Sequence, residues 1–495
     1  MKKAAVIGSG VAGLATAIRL ALQKFDVTVF EANDTFGGKM TEFSLDGFRF
    51  DKGPSLFTMP HLVDDLFYAA GRKPQAYFKY QQLDVITNYF FADGTRFTAY
   101  RDHDKFQEEA QKTLGIPREK VSRFFERSAE LYQATAPIFL HKSLHKPATY
   151  FTPQLLKTLT AAWNLGLTKT MHAANEKEFG EPRFVQLLDR FATYNGSDPY
   201  QAPATLNIIP HLEHNIGAFY PEGGIYSIAK SLHNLARELG VHFRFKEKVT
   251  EITVGENGKK VTGLRTEKAT FNFDAVVSNM DIVPTYRRLL PTLKAPEKTL
   301  QQPRSSSALI FYWGINRTFP DLDLHNIFFS QDYKKEFEHI FQHKNISADP
   351  TVYVNITSKF TKTDAPENSE NWFVMINVPH NQGQDWEKLK TETRRQVIAK
   401  LNTHLNCDLN QHIVCEHSWD PVGIELDTSS FGGALYGSSS NNAMAAFLRH
   451  PNFKRDVKGL YFSGGSVHPG GGIPLCLLSA KIVGELIRDD FKRKK

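Results

Sequence analysis

The segment Gly8-Ser9-Gly10-Val11-Ala12-Gly13 constrains this chain more than any other. It stands between an apolar run, Ala4 to Ile7, and a stretch with helical spacing, Val11 to Leu22. A strand that turns through glycines into a helix places the unpaired N–H groups of the helix's first turn at the turn itself, where they attract an anion. Gly8 permits the tight turn, Gly10 lets backbone reach a pyrophosphate, and Gly13 lets helix and strand pack closely. Val27 to Phe30 then reads as a second strand ending on Glu31, whose carboxylate suits ribose hydroxyls and disfavours the extra phosphate of NADP. This is a βαβ dinucleotide unit; the motif alone does not separate FAD from NAD.

A second glycine-dense window runs from Gly464-Gly465-Ser466-Val467-His468-Pro469 through Gly470-Gly471-Gly472-Ile473-Pro474 and opens an apolar helix pattern. Glycine loses more backbone freedom on folding than any other residue. Two such clusters therefore point to backbone in close approach to something, and a flat, phosphate-bearing cofactor fits both. The two ends of the chain are expected to build one site.

The composition, 41% hydrophobic and 23% charged over 495 residues, is that of a multi-domain globular protein. Its 38 phenylalanines suit a large apolar cavity, although Phe-rich cores have the same composition. The net charge of +7 comes without an arginine-rich arm, zinc-finger spacing or RNA-binding aromatics, so nucleic acid is not an expected partner. The basic run Lys492-Arg493-Lys494-Lys495 reads as a solvated tail, with contact to an anionic leaflet as the alternative. Cys407, Cys415 and Cys476 form no C-x-x-C pair, which argues against a disulfide framework and fits a reducing compartment. His141 and His145 have the spacing of a metal pair, but no further ligand accompanies them, and no metal is expected. Met1-Lys2-Lys3 imitates a secretory signal, but the spaced glycines, Arg19 and the strand ending on Glu31 oppose it. No uninterrupted apolar stretch of about 18 residues exists to span a membrane.

Further along, Leu83 to Tyr100 alternates around Asp93-Gly94 as a hairpin does. Residues 103–195 turn helical and basic. Within them Leu155, Leu156, Leu159, Ala162, Trp163 and Leu167, edged by Lys157 and Lys169, have the composition of an interfacial membrane helix. Core packing is the commoner origin of such a stripe. A helix is expected over Ile225 to Leu239, a strand over Val241 to Phe245, a hairpin over Glu251 to Leu264, and a buried parallel-type strand over Ala275 to Asn279. Ala308 to Trp313 and Trp372 to Val378 add strands, and the chain returns to the cofactor at Gly459 to Gly464.

After Glu31 come Gly37-Gly38-Lys39-Met40 and then Phe50-Asp51-Lys52-Gly53-Pro54-Ser55. Here the chain resembles the flavin amine oxidase and carotenoid desaturase superfamily, in which Gly-Gly and a basic residue flank the FAD diphosphate. Most members carry Arg at the Lys39 position; Lys supplies a point charge without a bidentate fork. Tyr194 to Ala204, Gly217 to Tyr226, His325 to Ser330 and Ser463 to Pro474 narrow the resemblance to bacterial phytoene-desaturase-type carotenoid desaturases, over nearly the whole chain. The second half, including Trp419-Asp420-Pro421 and Phe431 to Gly437, looks closest to desaturases acting on already unsaturated or hydroxylated acyclic ends, such as 1-hydroxycarotenoid 3,4-desaturases.

The resemblance implies an α/β fold: a Rossmann-type, glutathione-reductase-like FAD domain (1–75, 216–288 and 455–495). A mixed-sheet substrate domain (76–102, 196–215 and 289–454) and a helical, membrane-facing subdomain (103–195) interleave with it. It also implies a non-covalent FAD and a long apolar carotenoid substrate. FAD contacts carry over to Gly8, Gly10, Val11, Ala12, Gly13, Glu31, Ala32, Gly38, Lys39, Met40, Gly53, Pro54, Ser55, Val249, Gly464, Gly465, Gly472, Ile473, Pro474 and Leu475. Desaturation sends a hydride to the flavin and releases a proton from an allylic carbon, where a weak base or water suffices. His468 and Asp198 are the candidates for that base, each more readily read as structural. The same fold also hosts phytoene desaturases proper, carotenoid isomerases using reduced flavin and amine oxidases; a non-catalytic carotenoid carrier is the remaining alternative. The expected location is cytoplasmic, peripheral to the inner face of the cell membrane. The sequence leaves the oligomeric state open.

Overall fold

The computed structural model describes residues 1–150, 169–441 and 449–492. Lys3–Ile7, KAAVI, is buried along all but its first residue, as a strand inside a parallel sheet must be. It lies at the centre of a five-stranded parallel sheet in the order His242–Arg244, Asp26–Phe30, Lys3–Ile7, Ala275–Ser278, Leu460–Phe462. Period-two alternation divides its side chains. Ala4, Val6, Ala275 and Val277 pack against the helices Val11–Leu22, Tyr226–Glu238 and Ile473–Lys492. Ala5, Ile7 and Val276 pack on the other face, against a three-stranded antiparallel sheet, Val249–Val254, Val261–Thr266 and Thr270–Asn272. The third strand extends the hairpin expected over Glu251 to Leu264.

A seven-stranded sheet forms the second body, ordered Ile413–Trp419, Ser307–Ile315, Glu370–Val378, Val352–Asn355, His325–Phe328, Val85–Phe90, Arg96–Tyr100. Only His325–Phe328 and Val85–Phe90 pair in parallel. Ser307–Ile315 is buried throughout because both of its faces are covered. Leu309, Phe311 and Trp313 pack toward the helix Trp386–Leu405, while Ala308 and Ile310 line a cavity between the two sheets.

Helices close the third side. Asp102 caps His103–Leu114 through the amide of Lys105, and Gly115 ends it in a left-handed conformation. Arg118–Phe139 follows, burying Val121, Phe124, Phe125, Leu131 and Thr135. His211–Ile216 is a π-helical turn that carries Glu213 and His214 into the interior. The apolar stripe from Leu155 to Leu167, and the basic tail from Arg493, lie outside the described residues. No helix among the described residues is long and apolar enough to cross a membrane. Cys407, Cys415 and Cys476 are free thiols.

Candidate functional site

A cavity of about 800 Å³ runs from the carboxyl ends of the parallel strands, past the seven-stranded sheet, to the helix Arg118–Phe139. Both glycine windows line it. Gly13 does not: a Cβ there would stand 2.1 Å from the Gly8 carbonyl oxygen, so this glycine serves the contact between strand and helix. Its N–H donates to Asn279 Oδ1 at 3.1 Å, and Asn279 Nδ2 donates to the Ser463 carbonyl at 3.0 Å. One side chain at the end of a central strand thus ties the first glycine loop to the last.

Glu31 is buried, and its carboxylate is pre-oriented. Oε2 accepts from the N–H and the hydroxyl of Ser9 at 2.8 and 2.7 Å, and Oε1 accepts from the Asn33 N–H at 3.0 Å. A carboxylate offers about four acceptor sites, so one remains toward the cavity. Ala32, Gly38, Met40, Gly53, Pro54, Ser55 and Val249 share the wall with Gly8, Gly10, Val11 and Ala12. Lys39 donates to the Leu435 carbonyl at 3.2 Å, its one hydrogen-bond partner among the described residues. Burial lowers its ammonium pKa, while Asp281 opposes the shift. At the far end, Gly472 has φ +97° and a Cβ there would meet nothing within 4 Å. This residue feeds the helix Ile473–Lys492, whose first turn, with Ile473, Pro474 and Leu475, faces the cavity beside Gly464 and Gly465.

Arg449 stands in the same wall, nearly fully buried, and donates to the carbonyls of Tyr436 at 2.6 Å and Gly465 at 3.3 Å. Burial brings its guanidinium down to about 10, so it remains a cation at neutral pH. No carboxylate pairs with it among the described residues. The pre-oriented acidic residue, the glycine cradle, the free cation and the helix N-terminus together fit a flavin dinucleotide.

The two candidate bases separate. His468 lines the cavity. Its Nε2 lies 2.8 Å from the Lys142 carbonyl, which only accepts, so Nε2 carries the proton and Nδ1 is the basic atom. Desolvation lowers its pKa to about 4, leaving a neutral, weak base. Asp198 is away from the cavity wall. Its carboxylate holds a turn, accepting from the Tyr200 N–H at 2.8 Å and Gln201 Nε2 at 2.6 Å. His145 packs edge-on to His468, with ring centroids 6.0 Å apart.

The rest of the cavity combines an apolar wall with a polar cluster that spacing did not announce. Leu131, Phe139, Leu206, Ile209, Leu212 and Ile310 supply the apolar part. Arg190 Nη2 donates to Glu213 Oε1 at 2.9 Å and Nη1 to the Tyr194 hydroxyl at 2.9 Å, and that hydroxyl donates to Glu213 Oε2. His214 lies 3.9 Å from Glu213, but desolvation holds it down to about 3, so it is neutral and forms no ion pair. Ser55 and Tyr353 share a hydrogen bond at 2.8 Å, and Tyr353 reaches His325 Nδ1 at 2.7 Å.

Residues 11–487 match the family of flavin-containing amine oxidoreductases. A 1-hydroxycarotenoid 3,4-desaturase of Flavobacterium sp. (strain P99-3) is 51% identical over 487 residues, covering 98% of this chain and 99% of that one. A 4,4'-diapolycopene oxygenase of Methylomonas sp. is 32% identical, over 98% of each chain. Among solved structures, an oxidoreductase of Methanosarcina mazei superposes with a TM-score of 0.67 at 15% identity, covering 98% of this chain and all of that one. Cyclohexylamine oxidase of Brevibacterium oxydans superposes with a TM-score of 0.64 at 16% identity, covering 99% of this chain and all of that one. These two share the α/β fold. The chain belongs to the flavin-containing amine oxidoreductase family, and its cofactor is FAD.

Proposed function

We propose that this protein is an FAD-dependent carotenoid desaturase that introduces the 3,4 double bond into acyclic carotenoids carrying a hydroxyl at C1. The observation that carries this reading is the single cavity in which a dinucleotide cradle opens into a long apolar chamber, in a chain 51% identical to an enzyme of that name. Bound FAD supplies the hydride acceptor. The chain's own residues do the rest. Glu31 would hold the ribose and Lys39 the diphosphate, Arg449 and the helix starting at Ile473 would offer positive charge to a reduced cofactor, and the apolar wall excludes water. His468, a neutral imidazole on this wall, would take the proton. Phytoene desaturation, isomerisation, amine oxidation and a carrier role are not favoured.

The proposal extends to a peripheral position on the inner face of the cell membrane. Its support is the Lys-edged stripe from Leu155 to Leu167 and the partitioning of a polyene into lipid. Cosedimentation with anionic liposomes tests it, and protein that stays in the supernatant overturns it.

The deciding assay mixes flavin-loaded protein with liposomes carrying a 1-hydroxylated acyclic carotenoid. The expected result is a red shift of the polyene bands and a product lighter by two hydrogens. An unchanged spectrum across all acyclic carotenoids offered, with flavin still bound, overturns the assignment.

A further inference from the structure

Three side chains of the cavity wall, each more than nine-tenths buried, hold polar atoms with no partner among the described residues: Arg190 Nε, His325 Nε2 and Thr205 Oγ1. A buried polar group left unpaired costs roughly 1–3 kcal/mol, so three on one cavity wall call for a polar ligand atom.

Their hydrogen-bonding roles are determined by their neighbours. The amide of Asn355 is oriented by its donation from Nδ2 to the Leu324 carbonyl at 3.0 Å, and the same Nδ2 donates to His325 Nδ1 at 3.1 Å. Tyr353 also lies 2.7 Å from Nδ1. Nδ1 is therefore an acceptor, and the neutral ring carries its hydrogen on the unpartnered Nε2. Arg190 commits Nη1 and Nη2 to Tyr194 and Glu213, which leaves Nε–H as a second fixed donor. Thr205 adds a hydroxyl. Two donors and one hydroxyl complement an alcohol oxygen, which accepts two hydrogen bonds and donates one. A hydrocarbon chain end has nothing to offer them.

We propose that Arg190 Nε, His325 Nε2 and Thr205 Oγ1 form the receptor for the chain-end hydroxyl of the carotenoid and so determine substrate specificity. This rests on the reading given under the proposed function. An oxygen on C1 lies four bonds from C4, about 5 Å at full extension. Its receptor must therefore share a chamber with the bond to be desaturated. The hydrogen-bonded chain from Ser55 through Tyr353 to His325 satisfies this, because Ser55 belongs to the loop Gly53–Ser55 in the cofactor wall. A site built to hydrogen-bond a hydroxyl rejects the analogue lacking it by far more than an apolar pocket can.

The test compares a 1-hydroxylated acyclic carotenoid with the same polyene lacking the hydroxyl, on the flavin-loaded full chain in liposomes. The wild type is expected to favour the hydroxylated substrate in kcat/KM by about 100-fold or more. Thr205→Val and His325→Phe should each cut that ratio at least tenfold, and Thr205→Ser should restore most of it. Equal loss on both substrates would assign these residues a structural role and overturn the proposal, as would a wild type that does not discriminate. If neither substrate turns over, the proposed reaction fails by itself. Quenching of flavin fluorescence by each polyene then still reads the binding preference and decides the receptor separately.

Discussion

Where the chain's two ends meet, the cavity wall is largely backbone: Gly8 and Gly10 on one side, Gly464, Gly465 and Gly472 on the other, joined through Asn279. Deeper in, the wall is made of side chains, with Arg190, paired to the buried Glu213, and Tyr194, His325 and Tyr353 set among aliphatic residues. A dinucleotide presents the same phosphates to every protein that binds it, and backbone N–H groups suffice to hold them. A carotenoid gives the backbone little to hold, so a chamber for one depends on volume and on a few exact side-chain positions.

The four described tryptophans, Trp313, Trp372, Trp386 and Trp419, lie in or against the seven-stranded sheet, so their fluorescence reports the half built on that sheet while bound flavin reports the cradle. Replacing Glu213 by Gln should act most strongly. Removing one member of a buried pair costs about 3–5 kcal/mol, and the tryptophan melting transition should fall by more than flavin stoichiometry in the cold. Equal loss of both signals would mean that the halves do not behave separately. Next in size is Gly13→Ala, whose Cβ would lie 2.1 Å from the Gly8 oxygen. Such overpacking costs about 1–3 kcal/mol, and flavin retained on gel filtration should drop before the tryptophan signal changes.

Acid comes third. Burial lowers His145, His450 and His468, all around the C-terminal loop, from 6.5 to about 4. The unfolded chain therefore binds more protons than the folded chain between pH 6.5 and about 4. Stability should be intact above pH 6.5 and decline as the pH falls through that window. Flavin release on titration checks this, and retention unchanged at pH 4.5 contradicts it. Asn279→Ala, which removes one tie on each loop, should cost roughly 1–2 kcal/mol and speed flavin loss while leaving the tryptophan transition in place.

The cradle was legible in the sequence because its chemistry needs particular residue types at fixed short spacing. Gly8, Gly10 and Glu31 follow one another within a single βαβ unit, and the wall contains them. Local spacing also gave the strands and helices around them nearly to the residue, since Val11–Leu22 and Ala275–Ser278 carry their burial pattern in their own composition. Asn279 was visible only as the end of a strand; its grip on both loops depends on the strand's central place in the sheet. His325 and Tyr194 stood in recognisable motifs without any hint of what they touch. Asp198, in a motif of the same kind, proved to hold a turn.

What the sequence determined by itself was the cofactor end, because a phosphate-binding turn is a local structure and its glycines cannot be exchanged without steric cost. What only the tertiary structure decided was the polar cluster beside the cavity. Ser55, Arg190, Thr205, Glu213, His325 and Tyr353 come from separate elements and share no spacing rule. They meet because the seven-stranded sheet, the π-helical turn and the loop after Gly53 enclose the same space, and burial there makes each unpaired donor costly enough to require a partner.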